Sequence, residues 1–109
     1  MTPEGRVKQR IKKLLEELNI YYHMPVQNGM GMPTLDFICC VMGRYVAIEA
    51  KQFGETVTLM QARTTKQIRD RGGVVLVVAG TGEPLEILRG NLQEIIDFET
   101  SVKNLQEEI

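Results

Sequence analysis

The chain is poor in residues that bind soft metals or cross-link. Its 109 positions hold one histidine, His23, and two cysteines, Cys39 and Cys40, which are adjacent. A lone histidine cannot build a zinc site, and no CxxC or Cys/His spacing is present. His23 reads as a surface residue or a satisfied core residue. Neighbours in a strand point to opposite faces, so Cys39 and Cys40 do not bridge each other. They read as small buried hydrophobes in a reduced compartment. Long apolar runs are also missing: nothing approaches the roughly 20 residues that cross a bilayer. The opening MTPEGRVKQR has no hydrophobic signal core. A cytoplasmic protein with no membrane partner is expected. Finally, no excess of one charge exists. Thirteen Lys/Arg face fourteen Asp/Glu for a net charge of −1, which argues against a uniformly basic nucleic-acid binder.

What is present fits one domain spanning 1–109, a size at which a single core is stable without staples. The composition, 43% hydrophobic and 25% charged, is ordinary for a globular chain. The charge is unevenly spread. Residues 1–82 hold eleven Lys/Arg against seven Asp/Glu, and residues 83–109 hold two against seven. The positive charge is bunched in Arg6, Lys8, Arg10, Lys12 and Lys13, and again in Arg63, Lys66, Arg69 and Arg71. Two basic helices can bind phosphates at a net charge near zero, although on charge alone a solvated helix face is the better explanation of such bunches.

Hydrophobic spacing predicts a helix over 3–18, with Thr2 as cap, Pro3 in its first turn and Val7, Ile11, Leu14, Leu15 and Leu18 as its apolar stripe. An extended segment over 19–27 is limited by Pro25. NGMGMPT, with Gly29, Gly31 and Pro33, is a loop. Strands over 35–42 and 45–51, joined at Gly43-Arg44, form a hairpin. A loop around Gly54 leads to a helix over 58–71, capped by Thr58 and ended by Gly72-Gly73. The β-branched run VVLVVA, 74–79, reads as a buried central strand. After GTGEP comes a short extended piece over 85–88. A last helix capped by Asn91 then carries Leu92, Ile95, Ile96, Val102, Leu105 and Ile109. The order implies an α/β sandwich, a central mixed sheet flanked by helices, with 58–79 as a right-handed crossover.

The chemistry concentrates in Asp36, Glu49 and Lys51. Asp36 begins one hairpin strand, and Glu49 and Lys51 end its antiparallel partner. The two ends are therefore neighbours. Residues two apart share a strand face, so Glu49 and Lys51 project together. Paired carboxylates repel unless a cation lies between them, and a divalent ion with oxygen ligands, Mg²⁺ or Mn²⁺, is the usual resolution. Lys51 would position a water or offset negative charge on a phosphate. A turn aspartate and a surface ion pair are the plainer explanation. An isolated Glu-x-Lys would favour them, and the Asp36 upstream shifts the balance.

GMPTLDF, then IEAKQFGETVTLMQ, then RGGVVLVV together resemble the PD-(D/E)xK nuclease superfamily, and more narrowly its VRR-NUC (virus-type replication-repair nuclease) branch. The matching elements are Glu4 early in the first helix, Gly31 and Pro33 leading to Asp36, Glu49-Ala50-Lys51, and Thr58 through Gln61. They span about residues 2 to 80. One spacing departs: the family commonly has Asp directly after the loop proline, whereas Thr34 and Leu35 intervene here. The resemblance implies a restriction-endonuclease-like αβββαβ core with an extra C-terminal helix. It implies that Asp36, Glu49 and the Ala50 carbonyl hold the metal, with Lys51 assisting the attacking water. Gln61 would line the site, and Glu4 would support it through a water or a second metal. A capping box explains Gln61 as well, and a helix-dipole role explains Glu4 as well.

On this reading Arg63, Lys66 and Arg69 flank the cleavage point on the Gln61 helix, and Arg6, Lys8, Arg10 and Lys12 extend a phosphate track that holds DNA without reading sequence. The expected activity is a Mg²⁺- or Mn²⁺-dependent endonuclease for branched or four-way-junction DNA. The expected partner besides DNA is a second copy, with the acidic last helix as a candidate contact or simply packed on its own sheet. The alternatives are a flap or linear-DNA nuclease, a non-catalytic DNA-binding module, and a scaffold whose acidic cluster is structural.

Overall fold

A computed structural model describes residues 1–27 and 31–109; Gly29, part of the expected glycine loop, lies outside the described residues. The elements run α1 (Pro3–Glu17), β1 (Tyr21–His23), β2 (Phe37–Val41), β3 (Arg44–Lys51), α2 (Leu59–Asp70), β4 (Val74–Ala79) and α3 (Glu83–Glu107). They form three helices and a four-stranded mixed sheet, ordered β1-β2-β3-β4. The first three strands are antiparallel neighbours, and β3 runs parallel to β4 through α2. None of the helices is long and apolar enough to cross a membrane among the described residues.

Thr2 caps α1 by accepting from the Gly5 N–H at 3.0 Å. Val7, Ile11, Leu14 and Leu15 are its buried face. Asn19, at φ 57°, closes the helix, with Asn19 N–H bonded to Glu16 and Ile20 N–H bonded to Leu15. This is a Schellman motif, and asparagine tolerates the left-handed conformation it needs. The segment expected to be extended over 19–27 shrinks to three paired residues. Its centre, Tyr22, packs on Phe37 with ring centroids 6.0 Å apart.

The hairpin turn is Met42-Gly43, one residue earlier than expected, because Val41 pairs with Arg44. Both turn residues have positive φ, 51° and 86°. That is what a two-residue turn needs to match strand twist, and the methionine accepts it because the register leaves no other choice. The adjacent cysteines of β2 divide between the faces: Cys39 is buried, but Cys40 is exposed, against the expectation that both are core residues.

Two larger expectations fail. First, β4 is an edge strand and β3 is the inner one. Every residue of β3 from Val46 to Lys51 is buried, whereas Val77 in β4 is 46% exposed. An unbroken apolar run reports cover on both faces of a strand, and says nothing about neighbours at its sides. Second, 85–88 is not extended, and Asn91 caps nothing. α3 is one 25-residue helix beginning at Glu83, with Pro84 in its first turn and Glu83 and Glu86 complementing the dipole. Gly90 is absorbed in its middle. The Leu88–Leu92 spacing continues the helical stripe back across the supposed break.

The two sheet faces differ. One carries the main core, with Val46, Ile48, Ala50 and Val78 under α1 and α3. The other is thin: Leu35, Ala47 and Val75, joined by Ile38 and Ile68. α2 crosses this second face without burying a single residue fully. Register places Glu49 and Lys51 on the Ala47 side of β3, so both charged groups face the thin layer. Beyond Ile96, α3 keeps a tie to the sheet through Glu99, which accepts from Arg44 of β3 at 3.4 Å, while Phe98 and Leu105 are 63% and 62% exposed.

Candidate active site

The ladder pairs Phe37 with Ile48, so the next step along the hairpin sets Asp36 against Glu49. Asp36 stands just outside β2. Its Oδ2 accepts the Ala50 N–H at 2.9 Å, which ties the loop to the inner strand. Its Oδ1 lies 3.5 Å from Lys8 Nζ, with the two side chains 34% and 11% exposed for Lys8 and Asp36 respectively. Lys8 arrives from α1, the helix of the opposite face.

Glu49 is 1% exposed and Lys51 is 6% exposed. Glu49 Oε2 accepts from Gln61 Nε2 at 3.0 Å. The Glu49 carboxyl is pushed up to about 8, first by burial, then by a hydrogen bond with Asp36 and the Asp36 charge; Lys51 and Lys8 pull the other way. A cation placed between two such carboxyls would favour their charged forms.

Gln61 does two things at once. Its Oε1 accepts from the Thr58 N–H at 2.9 Å, and its own N–H donates to Thr58 Oγ at 3.1 Å. The capping box is therefore complete while the amide nitrogen reaches the site. The cap and the site contact coexist on opposite ends of one side-chain amide.

Neither a family model nor a curated protein matches the chain. A solved structure described as a VRR_NUC domain does, with a TM-score of 0.69 and 23% sequence identity, covering 81% of this chain and 96% of that one. The chain has the VRR-NUC fold.

Within the VRR-NUC fold the expected site residues separate into two groups. Asp36, Glu49, Lys51 and Gln61 come together, with the Ala50 backbone between the carboxylates. Glu4 does not complete a third carboxylate there: among the described residues no group of three or more His, Cys, Asp or Glu converges as metal ligands would. It sits half-buried in the first turn of α1.

The basic residues also divide. Arg6, Arg10, Lys12 and Arg63 are exposed. Lys66 pairs with Asp70 at 2.6 Å, four residues along the helix. Arg69 donates to the Val75 carbonyl at 2.9 Å, covering an outward-facing acceptor on the β4 edge. Lys8 is only partly withdrawn, its side chain 34% exposed beside Asp36. Sequence reasoning misses its place at the site, although one signal exists: it follows Glu4 by four residues and adjoins Val7, at the border of the buried stripe.

Beside Gln61, a groove of about 390 Å³ opens between Met32, Pro33 and Thr34 on one wall and Thr58, Met60 and Thr64 on the other. Through Gln61 it borders the buried carboxylates.

Proposed function

We propose that the protein is a metal-dependent deoxyribonuclease that hydrolyses phosphodiester bonds at Asp36, Glu49 and Lys51. The observation that carries this reading is the Asp36–Glu49 pair, nearly sealed from solvent, with a buried lysine on the same strand face. Burial and the neighbouring Asp36 carboxyl push the Glu49 carboxyl up to about 8, an arrangement that a divalent ion between the two would relieve. The donor set is all oxygen from the carboxylates, which suits Mg²⁺ or Mn²⁺.

Asp36, Glu49 and the Ala50 carbonyl are the groups that would hold the ion. When bound, such an ion supplies a low-pKa water and neutralises charge on the phosphate. The protein's own groups do the rest. Gln61 orients the Glu49 carboxylate through Nε2, and the Thr58 cap fixes Gln61. The Ala50 N–H holds Asp36 in place. Lys51, kept in a low-dielectric setting, faces the same side as Glu49 and offsets charge developing on the phosphate oxygens. Exposed Arg6, Arg10, Lys12 and Arg63 hold the flanking strand through its phosphates, which selects shape over sequence.

Branched or junction DNA is the preferred substrate on this reading, and a homodimer the working form. A domain this small grips little duplex alone. The far end of α3 offers Phe98, Val102 and Leu105 at helical spacing, with Phe98 and Leu105 exposed and Val102 half-buried. The test is a cleavage assay on four-way-junction, flapped and linear DNA with Mg²⁺ or Mn²⁺, using Lys51→Ala as control. Cutting that needs the ion and Lys51 supports the reading; no cutting of any of the three DNAs with either ion overturns it.

A further inference from the structure

We propose that Lys8 is the resident counter-ion of the site, a positioning residue that holds Asp36 until a divalent ion displaces it. This rests on the nuclease reading above and adds a residue to it. The two oxygens of Asp36 have different partners. Oδ2 accepts the Ala50 N–H at 2.9 Å, which leaves Oδ1 the less committed of the two. Lys8 Nζ stands 3.5 Å from that Oδ1. An ion held by Asp36 would meet the ammonium at the same carboxylate, so the two compete there. Lys51 cannot serve instead, because its side chain belongs to the same strand as Glu49 and makes no ion pair with Asp36 among the described residues.

The geometry also explains why the lysine is placed where it is. Asp36 and Glu49 meet across the hairpin mouth, and a cation beside Asp36 offsets the negative charge of the pair. Lys8 reaches them from a different element, α1, on a flexible stem that is still one-third exposed. A partly exposed lysine can swing out to water at small cost, which a fully buried one cannot. The site is thus kept assembled before the ion arrives, and the cation that does so can leave.

The experiment is calorimetric titration of Mn²⁺ into the full chain without DNA, for the parent, Lys8→Met, Lys8→Gln, Lys8→Arg and Lys103→Met. A competitor's removal tightens binding, so both neutral variants at position 8 bind Mn²⁺ roughly threefold to tenfold more tightly. Lys8→Arg retains the charge and stays within about twofold of the parent, and Lys103→Met, exposed on α3, does not move. A purely structural role predicts the opposite sign, since with no competition to relieve, losing a support for Asp36 only weakens the site. Equal or weaker binding in Lys8→Met and Lys8→Gln overturns the role of Lys8 while leaving the nuclease reading intact. A parent that binds no Mn²⁺ overturns both. Methionine and glutamine are good helix formers, so both variants keep α1.

Discussion

Gln61 donates its side-chain N–H to Glu49 across 3.0 Å while its amide oxygen accepts from Thr58 at the start of the same helix. One amide thus couples the N-terminus of α2 to the buried carboxylate, and the two jobs are separable by mutation. Thr58→Ala removes the hydroxyl that accepts from the Gln61 N–H and costs about 1 kcal/mol of stability. It leaves Nε2 free to reach Glu49, so cleavage stays within a few-fold of the parent. Gln61→Ala loses both contacts, with a similar stability loss and a further drop in cleavage of roughly tenfold to a hundredfold. Paired thermal melts and single-turnover assays decide; equal activity in the two variants would remove Gln61 from the site.

Glu49 controls how the metal-free protein responds to pH. Its carboxyl sits at about 8 in the fold, against an ordinary value of 4.5. The native state then holds this proton more tightly than the unfolded chain does. Its contribution is full below about pH 4.5 and is lost as pH rises through about 8. The cost at the alkaline end is on the order of a few kcal/mol. Glu49→Gln keeps the hydrogen-bonding shape without the ionisation. It should flatten the fall in melting temperature between roughly pH 5 and pH 9, the span over which the folded and unfolded chains differ in bound protons. The variant should also retain the fold while abolishing cleavage. Melts in the presence of a chelator measure this. If Glu49→Gln unfolds the protein outright, the cluster is structural.

The same proton links metal binding to pH. An ion that takes Glu49 as a ligand must displace it, so apparent Mn²⁺ affinity climbs with pH until about 8 and then levels. Titrations in buffers of different ionisation enthalpy should show proton release below that value. A pH-independent affinity would mean that Glu49 is not a ligand.

Lys51→Ala removes the buried ammonium from beside the carboxylates. Cleavage should fall on the order of a hundredfold or more, comparable to losing one strong electrostatic contact to the transition state. DNA affinity at fixed salt should change little, because Lys51 is almost inaccessible before the strand is seated. A filter-binding measurement beside the rate separates the effects; a loss confined to binding would assign Lys51 to the phosphate track instead.

Arg63 and Arg69 share one helix, and the structure predicts opposite consequences for them. Arg63→Ala should weaken DNA binding and lower the salt slope by about one, with an unchanged melting temperature. Arg69→Ala uncovers the Val75 carbonyl on an apolar edge strand, so stability falls by about 1 kcal/mol and aggregation increases. Melts, light scattering and salt-dependent binding distinguish the two. Identical behaviour would contradict the division of the basic residues.

Local chemistry made much of this molecule readable in advance. Thr2, Pro3 and the Val7–Ile11–Leu15 stripe specify α1 through nearest-neighbour physics, and the alternation through Glu49 and Lys51 places them on one face of a strand whatever surrounds it. The position of Asp36 at the hairpin mouth follows from register alone. These are short-range consequences of backbone geometry, and a chain carries them wherever it goes.

Other features belong to the assembled molecule. That β4 lies at an edge depends on which strands find each other, and its six apolar residues look the same in either place. That α3 runs through Gly90 depends on the sheet beneath Leu88 and Leu92, whose burial outweighs a helix cost of about 1 kcal/mol for one glycine. The turn at Met42-Gly43 shifts by one residue to keep the buried register. Lys8 and Asp36 meet only because α1 and the segment just before β2 are brought together from distant parts of the sequence. The residue types and their local periods were decided by the order of amino acids. Their partners were decided by packing, because long-range contacts depend on the free energy of the whole core and leave no period in the chain.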